Sequence, residues 1–528
     1  MDKPSKIEKS NFAPNLSFDA GDLDCGNGLL LLIRRHMDKL LHGQLLEIVS
    51  IESSVQQDLP SWCRLTKNQL VSSTTVGKQT SYLVCKGQFG EHTPSSTAPD
   101  LGTSFSVKDS TIVSGTSHPK LLSEHFPSVE IEIPTRLPEP IDVDPIPPLS
   151  VMGIGSWPRP AWMIRSLHDY LESRLSEEEF QSTADDAVRL CVNAQLAAGV
   201  DVITDGEQRR DNYASFVGQR LENCQLIPLV DLLALVSNPE ELQSQMEALD
   251  VPMTEVRHPV VFGRLGRKRS IALHEFEFIK SLVHTPAKIA LPGPYLLTRT
   301  MWLDCITNNY YESRQHLSED IVRVLREELH FLLAAGVPIV QLDEPVLSEV
   351  VYGAQTTSRS FMCGALSERM DSASELEFAT RLINATIKGL PPERIGLHVC
   401  RGNWTANEAM ALTGDYRPLL SLFQNIKVGT LFLEFCTPRA GELEILQELP
   451  PNMRIGLGVV NPKNPEVESL TDVLKKTEKA AQMIGFDRLL LNPDCGFATF
   501  ADNPVSSSKN AQAKLSLIAQ AAAILKRS

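Results

Sequence analysis

The sequence predicts an α/β protein in two parts: a (β/α)8 barrel over residues 148–528, preceded by a smaller two-layer α/β unit over 15–88. Three observations predict it. Eight short apolar runs alternate with helical patterns after Val151, a Pro-, Ser- and Thr-rich stretch separates this region from the N-terminal unit, and polar residues cluster just beyond the ends of the apolar runs. Eight strands alternating with helices in about 380 residues is the pattern of a barrel with insertions, and a doubly wound open sheet is the alternative.

In chain order, residues 1–14 are polar and carry no apolar signal core, so no structure is expected there. Leu16–Asp24 reads as extended. Leu29–Leu41 is helical, with Leu29, Leu32, Ile33, Met37, Leu40 and Leu41 on one face and Gly43 as the stop. Leu45–Ile51 reads as a buried strand, Ser54–Leu65 as a weaker helix and Ser81–Lys86 as a last strand. Residues 89–147 hold Thr93-Pro94-Ser95-Ser96-Thr97 and later Pro134, Pro138, Pro140, Pro145, Pro147 and Pro148, which reads as a linker. The barrel strands are expected at Val151–Gly155, Asp201–Thr204, Lys288–Leu291, Pro338–Leu342, Ile395–Val399, Thr430–Phe435, Arg454–Val459 and Arg488–Leu491. Helices are expected between most of them, among them Thr183–Ala198, Glu319–Ala335, Leu376–Ile387 and Leu470–Ile484, and Phe216–Lys268 reads as an insertion with its own helix and hairpin.

The composition is that of a soluble globular chain, with 42 % hydrophobic and 22 % charged residues among 528. A net charge of −15 argues against a nucleic-acid partner or an anionic membrane surface, since both call for clustered Lys and Arg. The apolar runs, such as Leu29–Ile33, are too short to span a bilayer. Ten cysteines without regular spacing fit buried, metal-binding or catalytic thiols in a reducing, cytoplasmic setting.

In a barrel, catalytic residues sit past the C-terminal ends of strands. Ser156, Arg159, Asp205, Glu207, Asp343, Glu344, His398, Cys400, Glu434, Asn461, Lys463, Asp494 and Cys495 all fall there. His398 and Cys400 are two apart on an extended segment and point the same way. With Glu434 and Cys495 they make one imidazole, one carboxylate and two thiolates, a plausible zinc shell. A His-x-Cys pair alone is more often structural; the three separate strand ends favour a metal. Zn²⁺ with these ligands sums to −1, a poor generator of hydroxide but well suited to stripping the proton from an incoming thiol. S-alkylation of a small-molecule thiol is the reaction this implies.

At these residues the chain resembles the catalytic domain of cobalamin-independent methionine synthase. The resemblance runs over about Val151–Leu525 and is carried by Ile154-Gly155-Ser156-Trp157-Pro158-Arg159, Thr204-Asp205-Gly206-Glu207, Leu291-Pro292-Gly293-Pro294, Gln341-Leu342-Asp343-Glu344-Pro345, His398-Val399-Cys400, Leu433-Glu434-Phe435 and Asn492-Pro493-Asp494-Cys495-Gly496. It implies zinc on His398, Cys400, Glu434 and Cys495. It also implies homocysteine on Ile154, Ser156, Glu207 and Asp343, and a folate contact at Glu349. There are departures. Lys463 stands where the family's Gly-Val-x-Asp-x-His stretch has its acid histidine. Thr300 holds the place of a folate-stacking tryptophan, with Trp302 two residues on, and Thr254 and Glu255 replace an Arg-Cys pair. The methyl donor, folate or another, therefore stays open. Lys463 would supply a proton or a positive charge, although its reference pKa near 10.4 makes it a poor acid unless shifted. An alkyltransferase of the epoxyalkane–coenzyme M type is the alternative. Coenzyme M carries no ammonium, so Glu207 and Asp343 count against it.

Asp22-Leu23-Asp24-Cys25-Gly26 ahead of a helix resembles the TusA-like sulfur-carrier fold, which implies a sulfur-carrying role for Cys25, although the family's Cys-Pro-x-Pro prolines are missing. A sulfur-carrier or binding protein with an inactive barrel is the third reading.

Overall fold

The computed structural model describes residues 12–24, 28–89, 134–233, 239–248, 253, 256–267, 269–303, 310–353 and 371–527. The chain divides into two compact units, one holding residues 1–122 with a short segment at 231–237, the other the remainder.

The N-terminal unit contains strands β1 (Leu16–Gly21), β2 (Leu45–Ser50), β3 (Gln69–Val76) and β4 (Gln79–Cys85), in the sheet order β1-β2-β4-β3. β1 and β2 are parallel, joined through the helix Leu29–Met37, and β4 runs antiparallel to both β2 and β3. Leu29, Ile33 and Met37 of that helix and Val55, Leu59 and Trp62 of the helix Val55–Leu65 pack on Leu46, Ile48, Tyr82 and Val84, giving two layers. The first helix stops at Met37, short of the expected Leu41, and β3 was not expected. β3 is a polar edge strand, Gln-Leu-Val-Ser-Ser-Thr-Thr-Val, mostly half-buried, so it lacks an apolar alternation. Cys25 lies outside the described residues.

The larger unit is a mixed α/β fold with a parallel sheet. Strands β7 (Lys288–Pro292), β8 (Ile339–Asp343), β9 (Ile395–Val399), β10 (Thr430–Leu433), β11 (Arg454–Val460) and β12 (Leu489–Pro493) lie side by side in sequence order. Five of the six are buried at every position, which is why they read as continuous apolar runs. The segments expected as the first two barrel strands form only single parallel bridges: Val151 to Leu491, Met152 to Val202, and Ile203 to Ala287. Between Val202 and β7, strands β5 (Leu221–Pro228) and β6 (Arg257–Arg267) make an antiparallel hairpin, with the helix Pro239–Ala248 inside the expected insertion.

Helices follow most strands. Glu177–Ala198 begins at a capping box, in which Ser176 accepts from the Glu179 N–H and the Glu179 carboxylate accepts from the Ser176 N–H, and it ends at left-handed Gly199. Met152, Ile154, Val202, Ile339, Phe432 and Leu490 form one buried cluster. Phe432 is accommodated by two glycines on neighbouring strands, since a Cβ on Gly396 or Gly456 would lie 2.6 or 2.2 Å from its ring. The end of the segment read as linker is fastened to this unit. Arg394 donates to the Ile141 carbonyl at 2.6 Å, Arg454 donates to the Ile146 carbonyl at 2.7 Å, and Ile146 is buried with the core. Among the described residues, no helix is long and apolar enough to cross a membrane.

Candidate metal centre and substrate pocket

His398 lies in β9, Cys400 just past its end, and Cys495 just past β12. One potential ligand atom from each lies within 4.8 Å of the others, and all three residues are buried. The His398 Nδ1–H points to Asp343 Oδ1 at 2.9 Å, at the end of neighbouring β8. That leaves Nε2 buried and without a hydrogen-bond partner. A buried imidazole nitrogen without a partner is costly unless something binds it. Next to two thiols, it is a donor set that fits a soft divalent ion.

A hydrogen bond between the thiols brings Cys400 down to about 6, with His398 helping against burial. The same bond, and then burial, pushes Cys495 up. The bond between the two sulfurs thus favours ionisation of Cys400 over Cys495. Burial works against the His398 imidazolium, but the Asp343 bond and the Cys400 thiolate hold its pKa above the usual range.

Glu434, expected as the fourth ligand, lies at the end of β10 and is not part of this three-residue group. Its Oε2 accepts from the Arg401 N–H at 3.1 Å and from the Asn403 amide at 2.8 Å, and its Oε1 pairs with Arg439. The sequence places the carboxylate at the right strand end but does not show the donors that occupy it. Tyr416 ties the two strand ends together: its hydroxyl donates to the Val399 carbonyl and accepts from the Glu434 N–H, both at 2.9 Å.

A small pocket, partly open to solvent, adjoins His398, Cys400 and Cys495. Ile154, Ser156, Glu207 and Asp343, the residues the resemblance offers as substrate contacts, line it together with Tyr213, Trp404 and Thr499. Glu207 is held in a left-handed backbone conformation, φ 54°, which costs a non-glycine residue about 1–3 kcal/mol. Arg159 secures this turn by donating to the Glu207 carbonyl at 2.5 Å and the Arg210 carbonyl at 2.6 Å. Gly155 leaves room for the carboxylate, since a Cβ there would stand 2.2 Å from Glu207 Oε1. Burial raises Glu207 to about 7, with Arg210 opposing and Asp343 adding to the rise, and its Oε2 has no hydrogen-bond partner. Ser156 supports the opposite wall: its Oγ accepts from the Ala498 N–H at 3.3 Å, and Gly496 leaves the space it occupies.

Lys463, after β11, is 4 % exposed and its Nζ has no hydrogen-bond partner. Burial and Arg439 lower its pKa, with Glu434 and Cys495 among the groups opposing. Glu349, expected at the donor site, does not line the pocket. It is fully buried, 3.7 Å from Arg299. Glu344 also turns away from the pocket: it accepts from the Tyr295 and Leu296 N–H groups at 2.8 and 2.9 Å, and burial lifts it to about 8. Sequence reasoning missed Lys288, Gln341, Asn403 and Arg439, since their roles depend on contacts between strands.

The parallel strands of this α/β unit gather at their ends a buried His-Cys-Cys group of a kind that could hold a metal ion, beside a pocket lined by two carboxylates. The family model described as the cobalamin-independent synthase catalytic domain matches residues 149–523. The chain belongs to that family. Methionine synthase of Saccharolobus solfataricus is 26 % identical over 352 residues, covering 66 % of this chain and 89 % of the relative. That of Thermococcus kodakarensis is 28 % identical over 353 residues, covering 67 % and 87 %. Among solved structures, the B12-independent methionine synthase from Shewanella sp. W3-18-1, in complex with selenomethionine, aligns with a TM-score of 0.54 at 21 % identity, covering 72 % of this chain and 98 % of that one. The putative enzyme from Listeria monocytogenes gives 0.51 at 19 %, covering 72 % and 99 %. These two likenesses speak for a shared fold.

Proposed function

We propose that this chain is a zinc-dependent thiol S-methyltransferase that makes methionine from homocysteine, with the larger unit closed into a (β/α)8 barrel through the single bridges at Val151, Met152 and Ile203. The observation that carries the reading is the unpartnered His398 Nε2 beside Cys400 and Cys495, on the wall of a pocket that also holds Glu207 and Asp343. His398, Cys400 and Cys495 would hold the zinc, with Glu434 as fourth donor from its place between Arg439 and Asn403. Zinc there supplies one thing, a thiol held as thiolate at neutral pH.

The chain's own residues do the rest. Glu207 and Asp343 present carboxylates to a substrate ammonium. Ser156 and Ile154 shape the wall that fixes the rest of the thiol. In the reaction an S–CH3 bond forms, the bond from the methyl group to the donor breaks, and the thiol proton leaves while the departing donor gains one. Lys463 brings a buried cation toward that donor, in this reading a methylated folate. The same cation favours a second reading, epoxide opening with coenzyme M, but the two pocket acids oppose a sulfonate. For the N-terminal unit, the β-α-β-α-β-β order supports a TusA-like sulfur carrier acting through Cys25.

The test is zinc content together with X-ray absorption at the zinc edge, titrating homocysteine and then coenzyme M. Stoichiometric zinc that gains a sulfur ligand with homocysteine alone, and is lost in C400S and C495S, is the expected result. A metal-free protein with full methyl transfer sinks the proposal.

A further inference from the structure

Beneath the candidate centre, four side chains on three adjacent strands form a directional chain. Lys288, on β7, is completely buried and its Nζ donates to Gln341 Oε1, on β8, at 2.5 Å. Gln341 Nε2 donates to Asp343 Oδ1 at 2.7 Å, and the same oxygen accepts from His398 Nδ1 at 2.9 Å. The Lys288 ammonium also lies 4.4 Å from the centre of the Phe432 ring, which replaces part of its lost hydration. Neither Lys288 nor Gln341 lines the pocket.

The polarity of this chain is forced. Burial brings Lys288 down to about 7, so the direction is set by the ionised Asp343 carboxylate, which only accepts: the Gln341 amide must turn its nitrogen to Asp343 and its oxygen to Lys288, which donates with or without its extra proton. Asp343 Oδ1 then receives an N–H from one side and meets the imidazole as an acceptor on the other, which requires the proton on Nδ1. The lone pair of Nε2 is thereby left free to join Cys400 and Cys495 in holding a metal ion. A carboxylate alone would also accept from His398. The amide and the lysine add orientation, because they fix which Asp343 oxygen faces the ring and keep it from turning toward a substrate.

We propose that Lys288 and Gln341 are positioning residues that set the tautomer and direction of His398 through Asp343. The proposal rests on the reading of His398 as a metal ligand. Outer partners of ligating histidines typically contribute about 10–100-fold in metal affinity. Q341E keeps shape and leaves Lys288 a partner, yet removes the amide N–H that Asp343 accepts beside the one from His398. K288M removes the donor that orients the amide.

The experiment has two readouts on the full chain. Nitrogen-15 NMR of the metal-free protein with labelled histidine, assigned through H398Q and recorded at alkaline pH, reports the His398 tautomer. Chelator competition reports zinc affinity. The native protein should show the Nδ1–H form, Q341E and K288M a mixture, and both variants about 10–100-fold weaker zinc binding with little change in melting temperature. An Nε2–H form in the native protein overturns the proposal, whether or not the variants fold. So does an unchanged tautomer with unchanged affinity in the variants. A native protein with the expected tautomer, lost in Q341E, but no zinc binding would keep the relay and refute the metal reading.

Discussion

Asp494 offers a test of how the strand ends are locked together. It follows β12, yet its carboxylate serves the turn after β10, two strands away, where Oδ1 accepts from the Phe435 N–H at 3.0 Å and the Cys436 N–H at 2.9 Å. The carboxylate crosses β11 at Gly458, where a Cβ would lie 2.2 Å from Asp494 Oδ1 and 2.8 Å from the Leu433 carbonyl oxygen. Gly458→Ala therefore forces the carboxylate off its two donors. Each buried N–H left without an acceptor costs roughly 1–3 kcal/mol, and overpacking in a closed core costs about as much again. Partial relaxation brings the expected loss to about 3 kcal/mol. Urea denaturation of the metal-free protein measures it. Asp494 joins the turns carrying Glu434 and Cys495, so zinc affinity should fall in the same variant by at least tenfold. Wild-type stability and zinc affinity in Gly458→Ala would refute the crossing and its role.

Glu207 should make stability depend on pH. Its folded pKa of about 7 lies above the ordinary 4.5, so the folded state holds its proton more tightly, and stability is lost as pH rises from about 4.5 through 7. The full effect is at most about 3 kcal/mol. E207Q should flatten that slope in pH-dependent melting, and it should raise KM for homocysteine most strongly above pH 7; an unchanged slope would remove Glu207 as its source. Lys463→Gln should lower kcat by about 10²–10⁴-fold, the range for a positioned proton donor or cation, with zinc content and thiol affinity unchanged. Steady-state kinetics separate the two, and a rise in KM alone would assign Lys463 to binding.

Much of this arrangement is legible in the sequence because strand ends are. The helix Leu470–Ile484 and strand Ile395–Val399 fall where the apolar pattern puts them, and the two-residue spacing of His398 and Cys400 survives folding as a shared direction. The helix reaching back to Glu177 carried a signal in Ser176-x-x-Glu179, which the apolar periodicity, starting later, conceals. What stays hidden depends on neighbours far apart in sequence. Lys288 and Gln341 sit inside runs that read as ordinary buried strand, 53 residues apart. Glu207 gives no hint in its own residue type that its backbone is left-handed, and Glu434 none that Arg439 and Asn403 hold it. Glu349, which matches a donor contact by position, gives no hint in sequence that it is buried 3.7 Å from Arg299.

The same neighbours explain how one end of the sheet tolerates so many acids. Two thiols, Glu207, Asp343, Glu434 and Asp494 are all buried there, and buried charges persist only when paired or hydrogen-bonded. The cations that answer them come from separate elements. Lys288 lies below the His398–Asp343 pair. Arg210 stands 3.8 Å from Glu207 while paired with Glu275 at 2.5 Å, and Arg439 holds Glu434. Arg401 is fully buried, 4.0 Å from the centre of the Tyr416 ring, and follows Cys400 directly. Arg401 and Lys463 have no carboxylate ion partner among the described residues, so their charges remain available to offset an anionic centre. The acids and thiols gathered here still outnumber these cations, so a divalent ion seated among two thiolates and a carboxylate would relieve part of the remaining negative charge, and Arg401 and Lys463 would offset the −1 of the resulting shell.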